Sequence, residues 1–153
     1  MTEEKGKFLN HSSVRTQEQK DLMARIEKDG VCPFCIEHFK KYHPKPIIKE
    51  TDYWFFTENI SPYEGSKFHF IFVYKPEHIT SPSKISTDAQ KDLFDLVSWA
   101  TDVYKIEGGS FFMRFGNTSY TGSSVEHIHA HLVSGVSKKE ASEAIRTKLA
   151  WKK

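Results

Sequence analysis

Three histidines stand at alternate positions in the run HIHAHLV, residues 127 to 133, of a chain that has only 8 histidines. Imidazole is a common metal ligand, and because it is neutral near physiological pH it can also act as a nucleophile. If the run is a β-strand, alternate side chains point to the same face, so the three rings lie together. The spacing therefore indicates chemistry at one surface of a sheet.

Three interpretations of this triplet are open. The rings could simply lie on the surface. All three could bind one metal ion, although three consecutive strand positions rarely converge on a tetrahedral centre. Alternatively each histidine has a different role: an outer histidine binds a structural metal, the middle one attacks phosphorus, and the last contacts substrate.

A second group that could do chemistry is Cys32-Pro33-Phe34-Cys35, which contains both cysteines of the chain. The two thiols could be small buried residues, metal ligands or a redox pair. In a reducing compartment this spacing is more typical of metal binding or redox chemistry than of a structural disulfide. A thioredoxin-like role is disfavoured because no βαβ pattern surrounds the pair.

The composition is that of an ordinary globular protein. The chain has 153 residues, 38% of them hydrophobic and 27% charged, with a net charge of +2. This excludes a disordered or membrane-embedded class and predicts one domain. The N-terminus lacks the apolar core of a signal peptide and no run approaches the ~20 apolar residues of a membrane span, so we expect a cytoplasmic protein.

Hydrophobic periodicity predicts the elements that carry these groups. Helices are expected at Val14–Lys28, from Thr87 to about Glu107, and over residues 137–153, where Ala141, Ala144, Ile145 and Leu149 share a face. Strand patterns cover residues 47–50, 53–57, 67–74, 110–115 and 125–133. Strands joined by short turns, with helices outside them, predict an α+β fold built on an antiparallel sheet of about five strands.

The remaining histidines and a basic residue receive simpler interpretations. His11, His38 and His43 lie in polar stretches and are interpreted as solvated, and His69 as structural in the sheet. Arg114 could reach a phosphate, but a salt link at the surface or in the sheet is preferred.

The order of motifs resembles the histidine-triad superfamily of nucleotide hydrolases and transferases. The triplet has the pattern His-φ-His-φ-His-φ-φ, with φ apolar, and follows a glycine–serine turn at residues 122–125. Upstream, Cys32-Pro-Phe-Cys35, Asn59-Ile60-Ser61-Pro62 and Lys75-Pro-Glu-His78 follow the family's order and spacing. The resemblance covers residues 30 to 135, and a flanking N-terminal extension (1–30) and C-terminal helix (137–153) leave 31–136 as the predicted domain.

The resemblance implies roles for individual residues. His129 would be the nucleophile, oriented by the backbone carbonyl of His127, with Ser124 and His131 completing the catalytic set. Contacts to the nucleotide would come from five residues: Phe34, Asn59, Ile60, Asn117 and Ser123. The family's zinc-bearing branch implies a structural Zn²⁺ held by Cys32, Cys35, His78 and His127.

Two positions depart from the family's pattern. Ser123 stands where many members have glutamine, which affects how the leaving group is held, and Asn59 replaces the familiar aspartate at the ribose position. His131 stands where the galactose-1-phosphate uridylyltransferase branch has glutamine, which favours hydrolase or phosphorylase chemistry over transfer to a sugar phosphate.

The resemblance implies a reaction at the α-phosphorus of a dinucleoside polyphosphate or nucleoside phosphoramidate, by hydrolysis or phosphorolysis through a nucleotidyl-histidine. It also implies a homodimer, with no nucleic-acid or membrane partner. The alternative is a zinc-stapled nucleotide-binding module whose hydrolytic activity is vestigial.

Overall fold

A five-stranded antiparallel sheet forms the centre of the molecule, with strand order β1-β2-β3-β5-β4. The computed structural model describes Leu9 and residues 16–153. The strands are β1 (Ile47–Glu50), β2 (Trp54–Glu58), β3 (Phe68–Tyr74), β4 (Ser110–Arg114) and β5 (His129–Ser134), and the helices are α1 (Gln17–Asp29), α2 (Ile36–Tyr42) and α3 (Thr87–Val103). The predicted α+β class with an antiparallel sheet is confirmed.

One face of the sheet packs against α3 and holds the main core. The alternating large residues of β2 and β3 point to this face, where they meet apolar residues of the helix such as Leu93 and Leu96. Ser86 begins α3 by accepting a hydrogen bond from the Ala89 amide. The helix ends at Val103, earlier than predicted, and Lys105 follows with a φ of 51°.

The opposite face is covered over only half of its width. Phe39 of α2 packs on Phe55, Ile71 and Val73, and α1 packs over α2 through Tyr42. Sequence patterns did not predict α2, because its seven residues are too few to show a helical period and four of them are charged or histidine. The half formed by β4 and β5 is left open as a cleft.

The last strand begins later than the alternating pattern predicts. Residues 125–133 were expected to be one strand, but β5 starts at His129. Upstream of that point the Ile128 carbonyl accepts from the Tyr74 amide and the Ile128 amide donates to the Ile79 carbonyl. The chain bends here because β3, the pairing partner, ends at Tyr74. His127 therefore lies just outside β5, but the alternation continues: Ile128, Ala130 and Leu132 all join the core on the α3 side, and the rings of His127 and His129 both contact Phe34 on the other side.

The predicted C-terminal helix over residues 137–153 is wrong. Beyond a turn at 138–140 this segment has no regular secondary structure, and Ala141, Ala144 and Leu149 are exposed. A helix here would need an apolar surface to cover its stripe, whereas the segment runs across the cleft and is bonded to Arg114. Within the described part of the chain, no helix is both long and apolar enough to cross a membrane.

Candidate active site

The open half of the sheet forms a cleft that collects most of the predicted site residues. It is floored by β4 and β5 and bounded by the loop after β2, the loop before β5 and the C-terminal segment. The residues that line it include seven of the predicted ones: Phe34, Asn59, Ile60, Ser123, Ser124, His129 and His131.

His129 lies at the centre of the cleft in a fixed orientation. Its Nδ1 is 2.6 Å from the backbone carbonyl oxygen of His127, the acceptor that the resemblance implies. A carbonyl only accepts, so Nδ1 carries the proton and Nε2 keeps its lone pair. Burial lowers the pKa of His129 to about 4. The ring is therefore neutral at pH 7, with one nucleophilic nitrogen.

His131 is oriented by a second histidine. The Tyr63 amide donates to Nδ1 of His69 over 3.1 Å, so a neutral His69 carries its proton on Nε2. That nitrogen is 2.8 Å from Nδ1 of His131 and donates to it. The proton of neutral His131 is therefore on Nε2. Phe112 stacks on the ring of His131 with centroids 4.9 Å apart, which fixes its plane.

The side of the cleft next to β2 has mixed polar and apolar walls. Asn59 follows β2, and its carbonyl oxygen accepts from the Ser61 amide over 2.8 Å, which holds the loop. Phe34 contacts the ring of His129 edge-on with centroids 4.9 Å apart. Ile60 also lines this side of the cleft.

The glycine–serine turn reaches the cleft, but one predicted contact does not. Ser123 and Ser124 line the cleft, although the Ser123 hydroxyl donates to the Val125 carbonyl over 2.9 Å. Asn117, predicted to contact phosphate, is exposed and is not among the lining residues. Its side chain caps the short 3₁₀ turn Thr118–Tyr120 by accepting from the Ser119 amide. A contact between Asn117 and a nucleotide stays a prediction.

A second cluster lies close to His129, where the side chains of Cys32, Cys35, His78 and His127 converge on one point. Nδ1 of His127 is 3.4 Å from Sγ of Cys32, 3.7 Å from Sγ of Cys35 and 3.2 Å from Nδ1 of His78, and Cys35 Sγ is 3.6 Å from His78 Nδ1. All the donor atoms lie within 4.8 Å of one another. A tetrahedral zinc with ordinary bond lengths would separate S and N by about 3.6 Å and two N atoms by about 3.3 Å. The donor set therefore fits such an ion.

The surrounding groups also suit a cation. Nε2–H of His127 donates to the Tyr74 carbonyl over 2.7 Å, which leaves Nδ1 free of a proton and able to ligate. Burial lowers the pKa of His127 to about 4 and raises the pKa of Cys32 to about 12. Burial also raises the pKa of Cys35. The two thiols thus resist ionisation unless a positive ion stabilises the thiolates.

Three residues differ from their simplest interpretation. His43 is buried rather than solvated: it stacks on Phe39, and its Nε2 is 2.9 Å from the Thr57 hydroxyl oxygen. Arg114 is buried beside His129, its partner in the β4–β5 register, and its hydrogen bonds go to residues 147 and 148 instead of a carboxylate.

His69 is in the sheet as expected but is also bonded to the triad. No signal in the sequence indicated this contact, because it depends on the β3–β5 register, in which Ile71 pairs with His131. His38 is half-buried, and His11 lies outside the described residues.

No protein-family model matches the chain, and no curated protein is similar enough to match. Solved structures do match. A histidine triad protein from Clostridium difficile is 18% identical with a TM-score of 0.54, covering 69% of this chain and 91% of its own. A Zn-bound histidine triad family protein from Mycobacterium smegmatis is 18% identical with a TM-score of 0.53, covering 72% and 79%. A HIT family hydrolase from Clostridium thermocellum is 22% identical with a TM-score of 0.50, covering 69% and 91%. The sequence resemblance is thus confirmed at the level of architecture: the chain has the histidine-triad fold.

Proposed function

We propose that this protein is a nucleotide hydrolase or phosphorylase that acts at the α-phosphorus of its substrate through a nucleotidyl-histidine at His129. The single observation that carries the proposal is the hydrogen bond from Nδ1 of His129 to the His127 carbonyl. This bond presents a neutral Nε2 to the cleft, and neutral imidazole attacks phosphorus to give a labile N–P bond.

The reaction has two balanced steps. Nε2 of His129 forms a bond to the α-phosphorus as the bond to the leaving group breaks, and the leaving group departs with the bonding electrons. Water, or inorganic phosphate in a phosphorolysis, then attacks the same phosphorus and breaks the N–P bond. The products are the expelled leaving group and a nucleoside monophosphate after attack by water, which releases its proton to solvent, or a nucleoside diphosphate after attack by phosphate. His129 returns to its neutral form.

Neighbouring groups would stabilise the charge that develops on the phosphoryl oxygens. Nε2–H of His131 is a donor because His69 fixes its tautomer. Ser124 and the backbone amides of the glycine–serine turn supply further donors near the cleft. Donors held in place before the reaction lower the barrier most, because they need no reorganisation.

The nucleoside would bind beside β2. Asn59 would contact the ribose hydroxyls through its side-chain amide, which in this structure also meets the Ser61 amide and Nε2 of His69. Phe34 and Ile60 would enclose the base, since both line the same wall. Dinucleoside polyphosphates and nucleoside phosphoramidates both place an α-phosphorus next to such a nucleoside.

The metal we propose is a structural Zn²⁺ on Cys32, Cys35, His78 and His127. Its support is the tetrahedral spacing of the donor atoms, together with a Zn-bound protein among those of similar fold. A closed set of four protein ligands leaves no open position, so the ion would hold structure and take no part in the chemistry. A homodimer and a cytoplasmic location stay predictions.

The test of the proposed function is His129→Asn. The variant should lose turnover of a dinucleoside polyphosphate by a factor of at least about 10³ while nucleotide affinity stays within about threefold, because the missing group acts only in the transition state. His38→Asn, on α2 away from the cleft, is the control. Retained activity in His129→Asn would contradict the mechanism.

A second candidate is a zinc-stapled nucleotide-binding module. It is favoured by the inward hydrogen bond of Ser123 and by the exposure of Asn117, which leave fewer groups to hold a leaving group. A panel of dinucleoside polyphosphates and adenosine phosphoramidate, with and without inorganic phosphate, separates the two. Binding of these compounds with no turnover of any would favour the module.

A further inference from the structure

Arg114 is a buried cation beside the nucleophile. The residue is only 8% exposed, and its guanidinium carbon is 5.0 Å from the ring centroid of Phe112. It is paired in register with His129 on the neighbouring strand, which places the two side chains on one face with Cβ atoms about 5 Å apart. Across the part of the chain that the structure describes, no carboxylate lies within salt-bridge distance of it. A buried positive charge costs free energy unless it is paired, so an anion bound here would be stabilised by the guanidinium.

The C-terminal segment occupies the donors of this guanidinium. Nε and Nη2 of Arg114 donate to the Lys148 backbone carbonyl over 3.0 and 2.8 Å, and Nη2 also donates to the Thr147 hydroxyl over 2.8 Å. The same carbonyl lies against the bare Cα of Gly122, where a Cβ would come within 2.1 Å of it. A neutral carbonyl oxygen thus stands between an arginine and a glycine turn, as a phosphate oxygen would.

The position of Arg114 selects one part of a nucleotide. Across the sheet, the order runs from β2 and β3, through His129 on β5, to Arg114 on the edge strand β4. The proposed nucleoside wall is on the β2 side, so a group expelled from the α-phosphorus towards β4 would reach the guanidinium. The planar fork of arginine binds phosphate oxygens in pairs and more strongly than it binds a neutral carbonyl.

We propose that Arg114 binds the phosphate chain beyond the α-phosphorus, and that the Thr147 hydroxyl and the Lys148 carbonyl fill this site until the substrate displaces them. The inference rests on the proposed function and narrows its substrate class to nucleotides that carry at least one further phosphate. A phosphoramidate, which lacks that phosphate, would leave the site to the C-terminal segment.

The segment is held loosely enough to be displaced. Of residues 141–153 only Ile145 is half-buried, and the others are exposed. Ile145 contacts the neighbourhood of Gly65 and Gly135, where an added Cβ would lie 3.9 and 3.1 Å from it. One apolar anchor and the bonds to Arg114 are contacts typical of a region that opens locally.

The test measures the affinity of AMP and ATP by titration calorimetry in the full chain carrying His129→Asn, so that neither nucleotide is consumed. Adding Arg114→Gln should lower the affinity for ATP by about tenfold to a hundredfold and the affinity for AMP by less than about threefold. Arg114→Lys, which keeps the charge and loses the fork, should give an intermediate loss. An equal loss for AMP and ATP, or no loss for ATP, would overturn the assignment to the outer phosphates while leaving the proposed function standing. Failure of both nucleotides to bind the parent would overturn both.

A second variant tests displacement without touching Arg114. Ile145→Ser removes the anchor and should raise the affinity for ATP by about threefold to tenfold while the affinity for AMP stays unchanged. The reason is that the C-terminal segment then competes less for the guanidinium. Leu149→Ser, in the same segment but 62% exposed, is the matched control and should change neither affinity. An unchanged or weakened ATP affinity in Ile145→Ser would refute the competition.

Discussion

The three triad histidines receive different roles from their hydrogen-bond partners. His127 donates from Nε2 to the Tyr74 carbonyl, which turns Nδ1 towards the cysteines. His129 donates from Nδ1 to the His127 carbonyl, which turns Nε2 towards the cleft. His131 accepts from His69 at Nδ1 and keeps its proton on Nε2. These hydrogen bonds support the three roles proposed for them: a metal ligand, a nucleophile and a donor.

The donor role of His131 can be tested through His69. His69→Leu removes the proton that His131 accepts at Nδ1, so its ring is no longer restricted to one tautomer. The turnover number should fall by about tenfold to a hundredfold while KM changes less than threefold. His69→Gln keeps a donor and should restore part of the rate. A change in KM alone, or equal rates for the two variants, would show that His69 only supports packing.

His43 should make the stability of the fold depend on pH. Burial lowers its pKa to about 4 from an ordinary 6.5, so the folded state holds the neutral ring. The stabilisation is complete above pH 6.5 and is lost as the pH falls towards 4, at up to ~1.4 kcal/mol per pH unit. His43→Gln, which can still donate to Thr57, should lose less stability between pH 7 and pH 5 than the unmodified protein in urea unfolding. If the free energy of unfolding depends on pH in the same way in both proteins, His43 is not the origin of the pH dependence.

At the scale of elements, apolar strand-like runs predicted the sheet because its central strands are buried on both faces. β3, buried along almost its whole length, is the clearest case. The short helix α2 could not be predicted, since it is stabilised by the packing of Phe39 on the sheet rather than by a pattern of its own. The C-terminal segment was mistaken for a helix because its apolar spacing is helical, while its conformation is fixed by Arg114 and Gly122, distant in sequence.

The proposed metal would join three segments that are far apart in the sequence. It would tie the turn between α1 and α2 to the segment after β3 and to the bend before β5. Removing it with a strong chelator should lower the melting temperature by roughly 10 °C and lower activity with it. Cys35→Ser should show the lower melting temperature from the start and no further response to chelator. Less than about half an equivalent of zinc in freshly purified protein would count against the site.

In the whole molecule, one face of the sheet forms the core and the other face carries the cleft. The α3 face supplies the core, and the other face is divided between the α1–α2 layer and the cleft. The resemblance of the motifs implied the proposed nucleophile and the four proposed metal ligands, and the structure brings the four donor atoms of that set within 4.8 Å of one another. Arg114 and the covering segment could not be assigned, because their roles depend on which strands are neighbours and on where residues 145–148 lie.

The most direct test of the central claim is a search for the covalent intermediate. The protein is mixed with a dinucleoside polyphosphate, the reaction is stopped during turnover with acid-free denaturant, and the peptide that contains residues 127–133 is examined by mass spectrometry. We expect the mass of one nucleoside monophosphate, less one water, on His129, and no added mass in the His129→Asn protein. Turnover without any adduct on this peptide, or an adduct that persists in His129→Asn, would contradict the account.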